Sequence, residues 1–246
     1  MADSIDYTIH YLKWHKDSED YYESMVDYYI DQYGRYLPQD KSIKILDIGC
    51  GTGLLVYALN KAGYMNVKGI DVSPHQISAA KKYGLNVECV DSTVDWLRNY
   101  ELEFDVVFLL DVLEHIHPSE HLKLLRTIHD KLSVNGMLIL TVPNANSTFA
   151  SRWRYIDWTH YTSFTEHSLE FVLINSGFKK IKIMEIEFFK RPRLPFIIRK
   201  SVIHWLLLKL VRMFRRIEAY AELGREGLTI PLSLNLLCIA KKQEIR

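Results

Sequence analysis

Between Ile43 and Pro143 the chain alternates short apolar runs with longer stretches whose apolar residues recur every three or four positions. The runs "IKILDI" (43–48), "NVKGID" (66–71), "NVECVD" (86–91), "FDVVFLL" (104–110) and "GMLILTVP" (136–143) predict buried strands. The stretches between them, among them "GLLVYALNKAG" and "PSEHLKLLRTIHDKL", predict helices. Strictly alternating strands and helices argue for a parallel sheet covered on both faces, wound by right-handed crossovers.

The pattern changes after Pro143. Ser163 and Glu166 have the spacing of a capping box and Gly177 stands where a helix stops, so "TEHSLEFVLINSG" predicts a helix. "FKKIKIMEIEF" and "LSLNLLCIAKK" then predict two strands without the usual helix between them, which implies an antiparallel edge. Ahead of the first strand, a helix is expected from about Ser18 to Gly34, with acids in its first turn. The expected organisation is an N-terminal helical lid (1–36), an α/β core (37–188 with 230–246) and a basic amphipathic helical insert (189–229).

Composition narrows the class. At 246 residues with a formal net charge of +1, the chain carries no bulk field that predicts a nucleic-acid partner. Cys50, Cys89 and Cys238 are too widely spaced for a metal or disulfide pattern. The N-terminus lacks the form of a signal peptide, and no uncharged run is long enough for a transmembrane helix. A cytoplasmic location is therefore expected. The charge is uneven, however: nine bases and no acid fall between Lys190 and Arg216, interleaved with apolar residues. That pattern suits a helical cap on the domain, a cover over the acceptor, a peripheral contact with the inner membrane face, or a homodimer contact.

The most specific motif is "ILDIGCGTG" (45–53): a strand ending in an acid, a glycine turn, then a helix. Such glycines let the backbone turn sharply and bring a ligand against main-chain N–H groups. A dinucleotide fingerprint fits poorly, because Val56 stands where Gly or Ala is required. Strand two ends in Asp71, placed to bridge ribose hydroxyls, and strand three ends in Asp91 beside Ser92, within reach of an exocyclic amine. "ILDIGCGTG", "GIDVSPHQI", "VDST" and "FDVVFLLDVLEHI" together resemble successive motifs of the class I S-adenosylmethionine-dependent methyltransferases, over about residues 43–180. The resemblance implies a Rossmann-like seven-stranded sheet with the last strand antiparallel. By position it implies that Asp47, Gly49, Cys50, Gly51 and Gly53 hold the methionine end of the cofactor. Asp71 would then take the ribose, Val72 would pack on the adenine, Asp91 and Ser92 would meet its edge, and Leu110 with Asp111 would floor the pocket.

The acceptor side is less specific. Asp111-Val112-Leu113-Glu114 replaces the D/N-P-P-Y of amide and DNA N-methyltransferases, and "DVLEHI" instead resembles small-molecule O-methyltransferases of the ubiquinone-biosynthesis kind. Asp111, Glu114 and His115 are expected to gather at one strand end and position an acceptor; the resemblance adds Mg²⁺ as a ligand they would hold. The segment "RWRYIDWTHYTSFTEHSL" (152–169) follows strand five, at the carboxyl edge where such sheets bind ligands. Its Asp157, His160 and Tyr161 resemble a D-x-x-H segment of methyltransferases from sugar and surface-polysaccharide pathways. His160, with His115 as its rival, is the expected general base, supported by Asp157 and Glu114. Trp153, Tyr155, Trp158 and Tyr161 are candidates to stack on the acceptor, and Arg152 and Arg154 to pair with a phosphate. Tyr11 and Trp14 are candidates to close a lid over the cofactor.

The functional expectation is an S-adenosylmethionine-dependent O-methyltransferase acting on a hydroxyl of a small molecule. A sugar, nucleotide-sugar or polysaccharide precursor is the first choice. The alternatives are a quinone- or phenol-type acceptor, and a non-catalytic cofactor-binding subunit.

Overall fold

The computed structural model describes residues 16–186 and 200–242. Helix α1 (Glu19–Tyr33) begins after Ser18 with Glu19 and Asp20 in its first turn. Then follow β1 (Lys44–Ile48), α2 (Leu54–Lys61), β2 (Asn66–Asp71), α3 (Pro74–Lys81), β3 (Val87–Cys89) and α4 (Thr93–Asn99). The second half adds β4 (Phe104–Leu110), α5 (Pro118–Lys131), β5 (Leu132–Pro143), α6 (Ala150–Tyr155), α7 (Glu166–Ile174), β6 (Lys180–Glu185), α8 (Lys200–Leu223) and β7 (Asn235–Lys241).

All seven strands form one sheet in the order β3-β2-β1-β4-β5-β7-β6. The first five strands pair in parallel, with Asp47 in register with Gly69 of β2 and Phe108 of β4. Strand β7 runs antiparallel to both β5 and β6. The antiparallel edge and the antiparallel last strand expected from the sequence are both present: β7 is sandwiched, and β6 is outermost. Burial explains this order, since Leu236 to Ala240 are covered on both faces, whereas β6 leaves alternate lysines in solvent.

Two apolar clusters cover the two faces of the sheet. On one, α1 and α2 pack Tyr22, Tyr33, Leu55 and Leu59 against Ile45, Val106 and Ile139. On the other, α5 and α7 pack Leu124, Ile128, Leu169 and Leu173 against Leu46, Val107 and Leu138. The cap of α7 differs from expectation. Thr165, not Ser163, accepts the Ser168 N–H, and the Ser168 hydroxyl answers to the Thr165 N–H. Ser163 lies two residues too early; its hydroxyl is buried without a hydrogen-bond partner among the described residues.

Candidate functional site

The glycine turn sits at the carboxyl end of β1. Gly49, Gly51 and Gly53 all have positive φ (71°, 55° and 82°), a conformation that costs any residue with a Cβ. A Cβ on Gly49 would fall 2.4 Å from Val112, and one on Gly53 2.6 Å from Leu85. The turn is anchored from below by Gly49 and Cys50 N–H groups donating to the Ile70 carbonyl. It is anchored from the side by α1, where the Tyr22 hydroxyl donates 2.7 Å to the Thr52 carbonyl. Burial pushes the Tyr22 phenol to about 12, so it remains a donor throughout the working pH range. Its ring is held between Tyr83 and Tyr57.

The acids at the strand tips divide. Asp47 is 3% exposed, and burial followed by repulsion from Asp71 raises its carboxyl well above the usual range. Asp71 accepts the Gly51 N–H at 2.9 Å and the Ser73 N–H at 2.8 Å, so it braces the turn as well as facing outward. Each oxygen keeps a further lone pair for a diol. Val72 is 60% exposed, an uncovered apolar platform beside Asp71. Asp91 is exposed, while the Ser92 hydroxyl is engaged as the cap of α4, accepting the Asp95 N–H. Cys50 is buried beneath the turn. A strained glycine turn, an acid at the tip of β2 and a bare apolar platform on one sheet edge fit the expected nucleoside cofactor.

Beyond β4, Leu110 is half-buried and Asp111 adopts φ 52°. The Asp111 carboxylate accepts from the Thr141 hydroxyl (3.0 Å) and from Asn235 Nδ2 (2.7 Å). The carbonyl oxygen of that Asn235 amide in turn accepts Trp153 Nε1 at 2.8 Å. Asp111 is therefore tied to β5 and β7 while its charge still reaches Glu114, and the Trp153 indole N–H is tied to the sheet. Asn235 and Thr141 were missed in the sequence. The signal was their polarity inside otherwise apolar strands, "LSLNLLCIA" and "LILTVP".

The third partner of Glu114 and His115 is His160. One ligand atom from each of these residues lies within 4.8 Å of the other two. The rings of His115 and His160 meet edge to face with centroids 4.5 Å apart. His160 Nδ1 faces the Trp153 carbonyl at 3.0 Å; a carbonyl only accepts, so Nδ1 carries the proton and Nε2 the lone pair. His115 Nδ1 lies 2.7 Å from the Thr159 hydroxyl, which itself donates to Asp157 Oδ1 at 2.8 Å. The hydroxyl proton being committed to Asp157, His115 Nδ1 is the donor and its Nε2 also carries a lone pair. Asp157 thus connects to His115 through Thr159, and its own carbonyl receives the His160 N–H. Glu114 is 1% exposed, and its Oε2 has no hydrogen-bond partner among the described residues. Burial first, then Asp111 and Asp157, raise its carboxyl well above the ordinary range.

Helix α6 covers the first part of the aromatic segment. Trp158 is 93% exposed, Tyr155 and Tyr161 are exposed, and Arg154 lies over the Tyr155 ring at 5.0 Å. Arg152 is exposed. Tyr7 to Trp14, including Tyr11 and Trp14, lie outside the described residues.

A family model described as a methyltransferase domain matches residues 21–183, about two thirds of the 246-residue chain. The chain belongs to this methyltransferase family. Among curated relatives, ubiquinone biosynthesis O-methyltransferases from Rickettsia felis and Actinobacillus pleuropneumoniae are each 32% identical, over 123 and 110 residues. The matches cover 48% and 41% of this methyltransferase-family chain, which spans about half the length of those relatives (49% and 46%). Among solved structures, an S-adenosylmethionine-dependent methyltransferase from Archaeoglobus fulgidus superposes with TM-score 0.66 at 22% identity, over 96% of this chain and 100% of that one. A Thermotoga maritima protein described as a possible histamine N-methyltransferase gives 0.61 at 16% identity, over 96% of each chain. These two likenesses show the class I methyltransferase fold, which bears out the fold expected from the motifs.

Proposed function

We propose that this methyltransferase-family chain transfers the methyl group of S-adenosylmethionine to a phenolic or quinol-type hydroxyl. The observation that carries the reading is the convergence of His115, His160 and the Glu114 carboxylate past the tip of β4. The cofactor, when bound, supplies an activated methyl group and its own leaving group. What remains for the protein is to align the acceptor oxygen and take its proton. A phenol ionises near 10, so an imidazole can remove its proton as the oxygen attacks. His115, oriented by Asp157 through Thr159, is the better-held base. His160, held by the Trp153 carbonyl, faces the same space. The names of the curated relatives support a quinone-type acceptor over the sugar or polysaccharide precursor that the sequence suggested.

A second reading has its own observation, the partnerless buried oxygen of Glu114. Two imidazoles and one carboxylate form a donor set for a divalent ion, which would lower the pKa of a bound hydroxyl and so favour its ionisation. That donor set suits manganese, iron or zinc; the Mg²⁺ suggested by resemblance prefers all-oxygen sites. In either reading Glu114, His115 and His160 contact the acceptor side.

The test is incubation with methyl-labelled S-adenosylmethionine and a panel of catechols, nucleotide-sugars and glycan phosphates. Label on catechol oxygen is expected. Label on a nucleotide-sugar alone would restore the sugar reading, and cofactor binding without turnover on any acceptor would favour a non-catalytic subunit.

A further inference from the structure

Helix α8 turns arginines, rather than its apolar stripe, toward the body. Its partly buried side, toward the body, carries Trp205, Leu208, Arg212, Arg215, Arg216 and Ala219. The arginines are engaged there. Arg212 pairs with Glu185 at 3.0 Å, Arg215 donates to the Asn146 carbonyl and the Thr148 hydroxyl, and Arg216 donates to the Gly227 and Ile230 carbonyls. The opposite side is apolar. Ile203, Leu206, Leu210, Met213, Ile217 and Tyr220 are each about half exposed, from 47% to 58%. Their spacing is 3-4-3-4-3 along the helix, the heptad repeat by which one helix seats against another. This inverts the expectation of a basic face in solvent.

We propose that this seam binds a second copy of the chain, with the two α8 helices antiparallel. The sequence of the seam is self-complementary about a two-fold axis between Val211 and Arg212. Ile203 then meets the partner's Tyr220, Leu206 the partner's Ile217, and Leu210 the partner's Met213, so all six are covered at once. Exposed Leu207 and Phe214 lie along one flank, where each meets the other across the axis. On the other flank Lys209 approaches the partner's Arg216, but that guanidinium is turned to Glu185 and backbone carbonyls of its own body. Eight side chains about half exposed offer roughly 700 Å² per copy, near the half-share of a standard interface. The rim argues against a lipid occupant. Among the side chains described from Ile203 onward, the apolar arc is bordered by one lysine, Lys209, and two acids, Glu218 and Glu222, whereas helices that settle on anionic bilayers carry an excess of cations there.

The test is sedimentation of the full chain at micromolar concentration, where a species of twice the 28.9 kDa chain mass is expected. Leu210→Lys should weaken the association by at least ~100-fold with thermal melting and cofactor binding kept, because the position is exposed. Leu210→Glu combined with Met213→Lys in one chain should restore the dimer, since antiparallel pairing sets Glu against Lys. A parallel pairing sets Glu against Glu and leaves that variant monomeric, which would overturn the proposed arrangement. A monomeric wild type, or a dimer indifferent to Leu210→Lys, would overturn the proposal altogether. So would a monomeric wild type that co-floats with phosphatidylglycerol vesicles, which would assign the seam to lipid.

Discussion

Thr159→Val removes one hydroxyl and nearly preserves shape. In the structure that hydroxyl receives His115 Nδ1–H at 2.7 Å and donates to Asp157 at 2.8 Å. Asp157 is 6% exposed and keeps the Thr159 N–H at 2.8 Å, so it loses the hydroxyl donor but not the backbone one. The lost bonds involve a carboxylate and an imidazole that becomes cationic as it takes the proton, and bonds of that kind contribute about 1.5–3 kcal/mol. If they strengthen as His115 takes the acceptor's proton, turnover should fall by about 10- to 100-fold. The assay is initial rate of label transfer from S-adenosylmethionine to a catechol across pH, with cofactor affinity measured separately by calorimetry. The expected result is a lower kcat with unchanged cofactor affinity and a pH–rate limb shifted to lower pH, because the imidazolium loses its support. An unchanged kcat and pH profile would refute the assignment of His115 as the oriented base.

Other parts of the account carry their own tests. Tyr22→Phe leaves the buried Thr52 carbonyl without its donor, so stability should fall by about 1–3 kcal/mol and the affinity for S-adenosylmethionine should weaken with kcat kept; calorimetry and melting check both. Asp47 has its folded pKa raised, so the native state holds a proton that the unfolded state releases, and stability drains as pH rises from the unfolded value through the folded one. Asp47→Asn should therefore flatten the decline of Tm with rising pH while weakening cofactor binding. Prolonged dialysis against a chelator separates the two readings of the acceptor site: if an ion is held, activity falls and returns with manganese better than with magnesium, and if the imidazoles act alone, activity is unchanged.

The fold was readable because the signals were local. Glycines needing positive φ, acids ending successive strands and an unbroken strand–helix alternation each follow from a few neighbouring residues. The position of β7 was not readable, because "FKKIKIMEIEF" and "LSLNLLCIAKK" are both apolar runs and only their burial separates edge from interior. The cap of α7 was misread because Ser163–Glu166 and Thr165–Ser168 both offer hydroxyls at capping spacing, and the chain's path from the Asn144–Phe164 bridge decides between them. At the acceptor site the residue types were legible but the pairings were not. Asp157 neighbours His160 in sequence, yet a turn at Thr159 turns its carboxylate to His115, 42 residues away in the chain. The inward arginines of α8 were hidden because a basic amphipathic pattern does not say which face meets the body; Glu185, on an edge strand, sets that orientation.

The central claim is that one ligand spans the glycine turn of β1 and the tip of β2, with its reactive end beside Glu114, His115 and His160. A crystal structure with S-adenosylhomocysteine bound is the most direct measurement. The account predicts ribose hydroxyls on Asp71, adenine against Val72, and the sulfur directed toward the three-residue cluster. A nucleoside seated elsewhere, or a sulfur directed away from His115 and His160, would contradict it.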